Sequence, residues 1–401
     1  MRLCVIKYCI EYISIGKSMI QYYVRLYKSN KGGISMNNKN YSPKIVSIFS
    51  GCGGLDLGFE MEGYKTIWAN DFSEWAVASF KKHFGDVIKL GDITKIDPFT
   101  DKSIPDCDIV LGGFPCQDFS IIWKQPGLNG RRGGLYRHFH EFVEAKKPKA
   151  FVAENVKGLL TANKKKAIET IIKDFESIHP SYIVKPHLYN FADYGVPQFR
   201  ERVLIVGIRI DTGFHFTHPK PTHGPNGSKP YVTVGEAFKG VEKVKFNNEH
   251  MRCMPRTQKL ISLIPEGGNF RDIPEDSPYY VKGMISHVYR RIDRNKPSNT
   301  IIAAGGGGTW GYHYPENRPL TNRERARIQS FPDDFEFVGS NTEVRRQIGN
   351  AVPPQGVRAL AKRLKPLFTG EYTRVDLQEE FERLKKMTVK ERLEYVTKEM
   401  S

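Results

Sequence analysis

Between residues 44 and 210 the chain alternates short apolar runs with helical stretches, and this alternation limits the folds open to it. Lys44-Ile45-Val46-Ser47-Ile48-Phe49 and Thr66-Ile67-Trp68-Ala69 read as strands. A glycine turn and a helix separate them, and a helical stretch over 73–83 follows. Ile109 to Leu111, Ala150 to Ala153, Tyr182 to Leu188 and Val203 to Val206 continue the strand series. A helix starting near Leu135 and a Lys-rich helix over 163–177 fall between them. Strands that alternate with helices imply a parallel, doubly wound α/β sheet, and such sheets bind ligands at the carboxyl ends of their strands.

The pattern changes after Ile210. Residues 211–290 are rich in Pro, Gly, His and Asn and read as a second, irregular domain. Helical signals return at Thr321-Asn322-Arg323-Glu324, a capping-box sequence that opens a helix through Ser330, and again over 354–368. From 373 the tail is charged, with Val375, Phe381, Leu384, Val389 and Leu393 roughly on helical spacing. It is expected to be a solvated terminal helix packed on the body.

Lys and Arg outnumber Asp and Glu by 61 to 44, a net charge of +17, which favours a polyanionic partner, nucleic acid before a membrane surface. The six cysteines, at 4, 9, 52, 107, 116 and 253, contain no Cys-x-x-Cys pair. Neither a zinc knuckle nor a thioredoxin-like site is indicated, and the sparse usage suits a reducing cytosol. No apolar run approaches the roughly 20 residues that span a bilayer. Lys7, Glu11 and Lys17 interrupt the first 35 residues, which excludes a secretory signal. Met36 precedes a polar Asn/Lys stretch, so 1–35 read as an upstream extension from a misassigned start.

Chemistry-bearing residues gather at the expected strand ends. Phe49-Ser50-Gly51-Cys52-Gly53-Gly54-Leu55 joins the first strand to the first helix, where glycines let backbone approach a ligand and the helix start offers free N–H groups. The second strand ends in Asn70-Asp71-Phe72. An acid there is placed for a ribose diol, and Phe72 for stacking on adenine. Asp92, in Gly91-Asp92-Ile93, can accept from an adenine amino group. These three places describe a nucleoside pocket, and the absence of a Gly-Lys-Ser/Thr sequence disfavours a nucleoside triphosphate. Cys116 lies in Gly112-Gly113-Phe114-Pro115-Cys116-Gln117, a turn after the third strand. It is either a displayed nucleophile or a small buried residue. Glu154, in Glu154-Asn155-Val156, faces the same cleft or is an exposed loop acid. Arg200 and Arg202 share one face of an extended segment and clamp a phosphate or base, or are surface charge.

The order of these motifs resembles that of the DNA (cytosine-5)-methyltransferases of bacterial restriction–modification systems. The Phe-x-Gly-x-Gly-Gly turn, Pro115-Cys116-Gln117, Glu154-Asn155-Val156 and Gln198-Phe199-Arg200-Glu201-Arg202 occur in the family's order. Arg291 to Ile301 resembles its ninth motif, Gln347 to Pro354 its tenth, and Arg318 to Thr321 through Phe331 to Asp333 is also typical. The resemblance spans roughly 44–365.

The resemblance implies an S-adenosylmethionine-dependent methyltransferase (Rossmann-like) fold with a smaller irregular target recognition domain. Residues 1–40 would be an N-terminal extension, 41–210 the catalytic and cofactor-binding domain, 211–309 the target recognition domain, 310–370 the return to the catalytic domain and 371–401 a helical tail. Cys116 would add to carbon 6 of a flipped cytosine. Glu154 would bond ring nitrogen 3 and the exocyclic amine, Arg202 the base's carbonyl oxygen, and Arg200 would sit near Cys116 and the phosphate. No side chain in the motifs stands out as the base that removes the carbon-5 proton, which leaves water. Cofactor contacts would carry over to Phe49, Gly51, Gly53, Gly54, Leu55, Asp71, Phe72, Asp92, Ile93, Pro115, Leu135, Asn350 and Val352. Phe72 stands where many relatives have Trp. Ser120, Lys124 and Arg132 fall in a loop resembling the mobile catalytic loop, although Ile121-Ile122-Trp123 is bulkier than the small residues common there. Thr300, Gly306 and Gly307, within Gly305 to Gly308, resemble elements that hold the DNA backbone. Base readout would fall to residues such as Arg252, Arg256, Gln258, Asn269 or Arg271, with none singled out.

The partners implied are double-stranded DNA and a cognate restriction endonuclease, with a monomeric chain, no membrane, no metal and a prokaryotic cytosolic location. An RNA cytosine methyltransferase is the first alternative, but Cys253 is followed by Met254-Pro255 rather than the Phe-Thr usual in RNA-acting relatives. A non-catalytic DNA-binding regulator is the second, and the intact Cys116, Glu154 and Arg202 argue against it.

Overall fold

The computed structural model describes residues 40–115, 134–280, 282–283, 288–303 and 311–400. Residues 42–368 and 372–400 form one compact unit. Its strands are β1 (Lys44–Ile48), β2 (Lys65–Asp71), β3 (Ile88–Leu90), β4 (Ile109–Gly112), β5 (Ala150–Val156), β6 (Tyr182–Asn190) and β7 (Glu201–Arg209). They build one sheet in the order β3-β2-β1-β4-β5-β7-β6. The order reverses between β1 and β4, where crossover connections diverge and leave a crevice at the strand ends.

Helices flank the sheet: α1 (Gly54–Glu60), α2 (Glu74–Phe84), α3 (Tyr136–Lys146) and α4 (Lys166–Ser177). Val46, Ile48, Val110, Phe151 and Ala153 meet Phe139, Phe142 and Val143 of α3 and Ile168, Ile171 and Phe175 of α4 in the main core. Both faces of the central strands are covered, and their near-continuous apolar runs follow from that double burial.

The sheet is mixed rather than wholly parallel. β1 to β5 pair in parallel, but β7 runs antiparallel to both β5 and β6. The reason is the connection from β6: residues 191–200 hold only a short 3-10 turn, too little for a helical crossover. β7 therefore folds straight back and inserts beside β5.

The described residues of 211–320 are mostly irregular, with only α5 (Val234–Ala237) and α6 (Pro255–Ser262) as α-helices among them. Two small apolar clusters hold it, one around Val234, Phe238 and Ile292, the other around Leu260, Ile261, Phe270 and Tyr312. Arg291 pins them together by donating to the carbonyls of Ile261, Ile264, His313 and Tyr314. Then come α7 (Asn322–Ile328), α8 (Asn341–Asn350) and α9 (Pro354–Thr369). The Thr321/Glu324 capping box forms as its sequence requires. The tail makes two helices, α10 (Gln378–Lys385) and α11 (Val389–Glu399), broken where Thr388 caps the second. Phe381 and Leu384 bury against Ile183 of β6, and Val389 joins the main core, so this segment is part of the body.

Candidate active site

The glycine turn after β1 is anchored from below. Ser47 of β1 and Thr66 of β2 donate to the buried Asp56 of α1 at 3.0 and 3.3 Å, and burial pushes that carboxyl up to about 7. At the end of β2, Asp71 accepts from the backbone N–H groups of Gly51 and Ser73, both at 2.8 Å. Burial raises the Asp71 carboxyl above its usual range while those amides pull it back. Phe72 beside it is 76% exposed, an aromatic face presented to solvent. Asn70 reaches across to the Gly91 carbonyl at 3.0 Å, which fixes the loop carrying Asp92. Asp92 is exposed and caps a 3-10 turn through the Thr94 N–H, whose bonds hold its carboxyl below the usual range. Ile93 and Leu55 are buried beneath, and Phe49 and Leu135 pack partly against the main core.

The far part of the chain closes this crevice. A side chain on Gly54 would start 2.3 Å from the Val352 carbonyl, so only glycine lets α1 meet the segment after α8. Gln347 accepts from Ser79 of α2 at 2.6 Å, a second tie. Asn350 is exposed and Val352 buried at the same junction. At Gly51, in contrast, φ is +56° and a side chain would meet nothing within 4 Å, so the turn faces open space.

A second group stands at the ends of β4, β5 and β7. Glu154 and Arg202 project from the same face of paired strands and form an ion pair at 2.9 Å, both largely buried. Burial raises the Glu154 carboxyl, and the Arg202 and Arg200 charges oppose that rise. Asn155, itself buried, donates to the Phe114 carbonyl at 2.9 Å and so ties β5 to the segment that leads to Cys116. Gly113 in that segment lies directly against the Glu154 carboxylate. The alternation of residues placed Arg200 and Arg202 on one face, but their surroundings differ. Arg200 is 1% exposed and donates to the carbonyls of Ile301 and Gly349 at 3.1 and 2.9 Å.

The sequence matches the family model of the C-5 cytosine-specific DNA methylases over residues 43–366. The chain belongs to that family. It is 65% identical to the type II methyltransferase M.NgoFVII of Neisseria gonorrhoeae over 362 residues, which cover 90% of this chain and 96% of that one. It is 38% identical to the type II methyltransferase M.BbvI of Brevibacillus brevis over 356 residues, 84% of this chain and 94% of that one. A prophage-encoded E. coli protein, described as a DNA modification methyltransferase, shares the fold with a TM-score of 0.62 at 22% identity, over 82% of this chain and 99% of that one. The chain is a DNA (cytosine-5-)-methyltransferase of the restriction–modification type.

In this cytosine methylase burial pushes two other thiols, Cys52 and Cys107, each up to about 12. Pro115 is exposed at the edge of the described segment. Cys116, Ser120, Lys124, Arg132, Gly306 and Gly307 lie outside the described residues. Thr300 is exposed and donates to the Phe199 carbonyl at 2.8 Å. In the irregular region Asn269 caps the turn of Phe270–Asp272, a structural use of its side chain, and Arg256 lies over the Tyr279 ring. Arg252, Gln258 and Arg271 are exposed. Sequence reading missed Asn155 and Gln198. Gln198 is buried, accepts from the Ile301 N–H at 2.8 Å and donates to Gln329 at 2.8 Å. Their signal was present, since both are amides flanking the expected charged residues.

Proposed function

We propose that this methyltransferase forms a covalent Cys116 adduct with a cytosine flipped out of a short, specific duplex DNA sequence. The Glu154–Arg202 pair beside the Asn155–Phe114 tie carries this reading. It puts an acid with a raised pKa next to the entry to the cysteine segment. The Cys116 thiolate adds to carbon 6, and the ring's electron density moves toward nitrogen 3. Glu154 donates a hydrogen bond there and stabilises the charge as it develops. Arg202 holds Glu154 in position and reaches the base carbonyl. Carbon 5 then takes the methyl group, water removes its proton, and the Cys116–carbon 6 bond breaks to release thiolate.

The residues at the ends of β1, β2 and β3 fit S-adenosylmethionine. Asp71 keeps carboxylate lone pairs for a ribose diol, Phe72 offers a stacking face, Asp92 an acceptor, and Gly51 an unobstructed backbone. When bound, S-adenosylmethionine would supply the electrophilic methyl group and leave as S-adenosylhomocysteine. Gly53, Gly54, Leu55, Ile93, Pro115, Leu135, Asn350 and Val352 complete that wall. Thr300 and the excess of basic residues serve the DNA backbone, and base readout falls to the irregular 211–309 domain. The protein acts as a monomer in the prokaryotic cytosol and protects sites cut by a cognate endonuclease.

Trapping on duplex DNA containing 5-fluorocytosine tests the mechanism, because a fluorine at carbon 5 blocks the final proton loss. Wild-type protein should form a stable adduct and Cys116→Ser none. Absence of adduct from the wild type, with S-adenosylmethionine present, on every duplex with 5-fluorocytosine in place of cytosine would overturn the reading. Bisulfite sequencing of DNA from expressing cells would name the methylated site.

A further inference from the structure

We propose that Arg200 is a positioning residue that couples cofactor binding to DNA binding, not a group that contacts the phosphate or the reacting base. The inference rests on the functional reading above, which places Thr300 on DNA and Asn350 and Val352 on the cofactor.

Both terminal nitrogens of the Arg200 guanidinium are committed to protein, while its buried Nε has no partner among the described residues. It bridges the Ile301 carbonyl, one residue past Thr300, and the Gly349 carbonyl, one residue before Asn350. The side chain is 1% exposed, so reaching a DNA phosphate would mean leaving both carbonyls buried without a donor. The two segments it joins also touch directly. A side chain on Gly349 would start 2.4 Å from the backbone of Ala303, so the end of α8 lies flat on the strip that carries Thr300. Gln198 holds the Ile301 N–H from the other side and passes the connection to Gln329, which donates to the Ile348 and Ala351 carbonyls. A displacement of the α8 end by a cofactor is therefore transmitted to the Thr300 strip, and the reverse holds by thermodynamic linkage. The planar guanidinium spans two acceptors at fixed spacing, whereas a lysine ammonium has no such fork.

The test compares wild type and Arg200→Lys in the full chain by calorimetry. S-adenosylhomocysteine is titrated with and without a duplex carrying the recognition site. Wild type should show duplex raising that affinity by a factor in the usual coupling range of roughly 5 to 150. In R200K the factor should fall toward one, with each ligand alone bound within about threefold of wild type. A lysine variant that keeps the full factor would overturn the proposal. If R200K does not fold, hydrogen exchange on the wild type decides. S-adenosylhomocysteine alone should slow exchange across residues 298–303, and unchanged exchange there would refute the coupling. Wild-type trapping on 5-fluorocytosine DNA keeps the two readings apart, because a chain that forms the adduct but shows no coupling leaves the mechanism standing and only this inference fallen.

Discussion

Asn155 donates its side-chain N–H to the carbonyl of Phe114 at 2.9 Å, and this one bond fixes the cysteine-bearing segment to the strand that carries Glu154. The Asn155 side chain is also braced, since its own oxygen accepts from the Val156 N–H at 2.9 Å. Replacing it with Ala removes that hydrogen bond, at about 0.5 to 1.5 kcal/mol. The greater effect is on positioning. A displacement on the order of 1 Å costs about 100-fold in rate, so Asn155→Ala should slow adduct formation on 5-fluorocytosine duplex by about that factor. Affinity for S-adenosylhomocysteine should stay within about threefold. An unchanged trapping rate would show that the bond does not position the segment.

Arg202 and Glu154 predict a pH effect with a definite sign. Burial favours the neutral carboxyl, and the Arg202 charge, followed by that of Arg200, favours the ionised form. Removing Arg202 therefore moves the Glu154 pKa further up. If the protonated acid is the active form, the rate falls as pH rises through that pKa. In Arg202→Met the alkaline fall should lie at higher pH than in wild type, on a rate lowered by about 100-fold through lost orientation. Single-turnover methylation measured across pH would show it. A limb that stays in place or moves toward acid would exclude Glu154 as its source.

The strand ends that build the site were readable because apolar runs broken by Gly, Pro or an acid mark where a buried strand surfaces. Phe49, Asp71 and Glu154 were placed in this way. What escaped depended on partners distant in sequence. The direction of β7 is set by the shortness of its connection, since nothing in Glu201–Arg209 itself encodes it. α8 was hidden because Asn341–Asn350 is mostly polar and only Val344 and Ile348 show helical spacing on its apolar side. β3, only three residues long, gave no period. Arg200 and Arg202 look alike two positions apart, but the depth of Arg200 comes from Ile301 and Gly349, which lie 101 and 149 residues away.

Cys52, which is buried, and Cys107, which is partly buried, give a chemical check on the fold. Cys52 and Cys107 are pushed up to about 12 by burial, with further rises from Asp71 and from Asp108 respectively. Thiols so raised stay protonated near neutral pH, and the thiolate is the form that alkylates. Iodoacetamide under native conditions should leave both unmodified and react with them only after denaturation. Peptide mass spectrometry reads the result directly, and native labelling of Cys52 would contradict its burial in the glycine turn after β1.

The C-terminal helices, which lie beyond the matched residues 43–366, are fastened by a buried charge. Lys185 of β6 is 1% exposed and pairs with Glu380 of α10 at 2.6 Å and Glu399 of α11 at 2.8 Å. Burial alone would raise the Glu380 carboxyl, but hydrogen bonding to His215 and the Lys185 charge outweigh it and hold it at about 2. A depressed carboxyl contributes stability that is complete above its unfolded pKa of about 4.3 and is lost as pH falls from there toward 2. Lys185→Met takes the buried cation from two carboxylates, leaving them only His215 and the Tyr395 hydroxyl as partners, and should cost up to about 3 to 5 kcal/mol at neutral pH. Protonating those carboxylates relieves the variant, while the wild type loses the stability that its depressed Glu380 carboxyl contributes, so the two stabilities should converge in acid. Urea unfolding at pH 7 and at about pH 3 measures this, below the unfolded Glu pKa and still above that of folded Glu380. A gap of the same size at both would mean that the Lys185 pairing does not hold the tail.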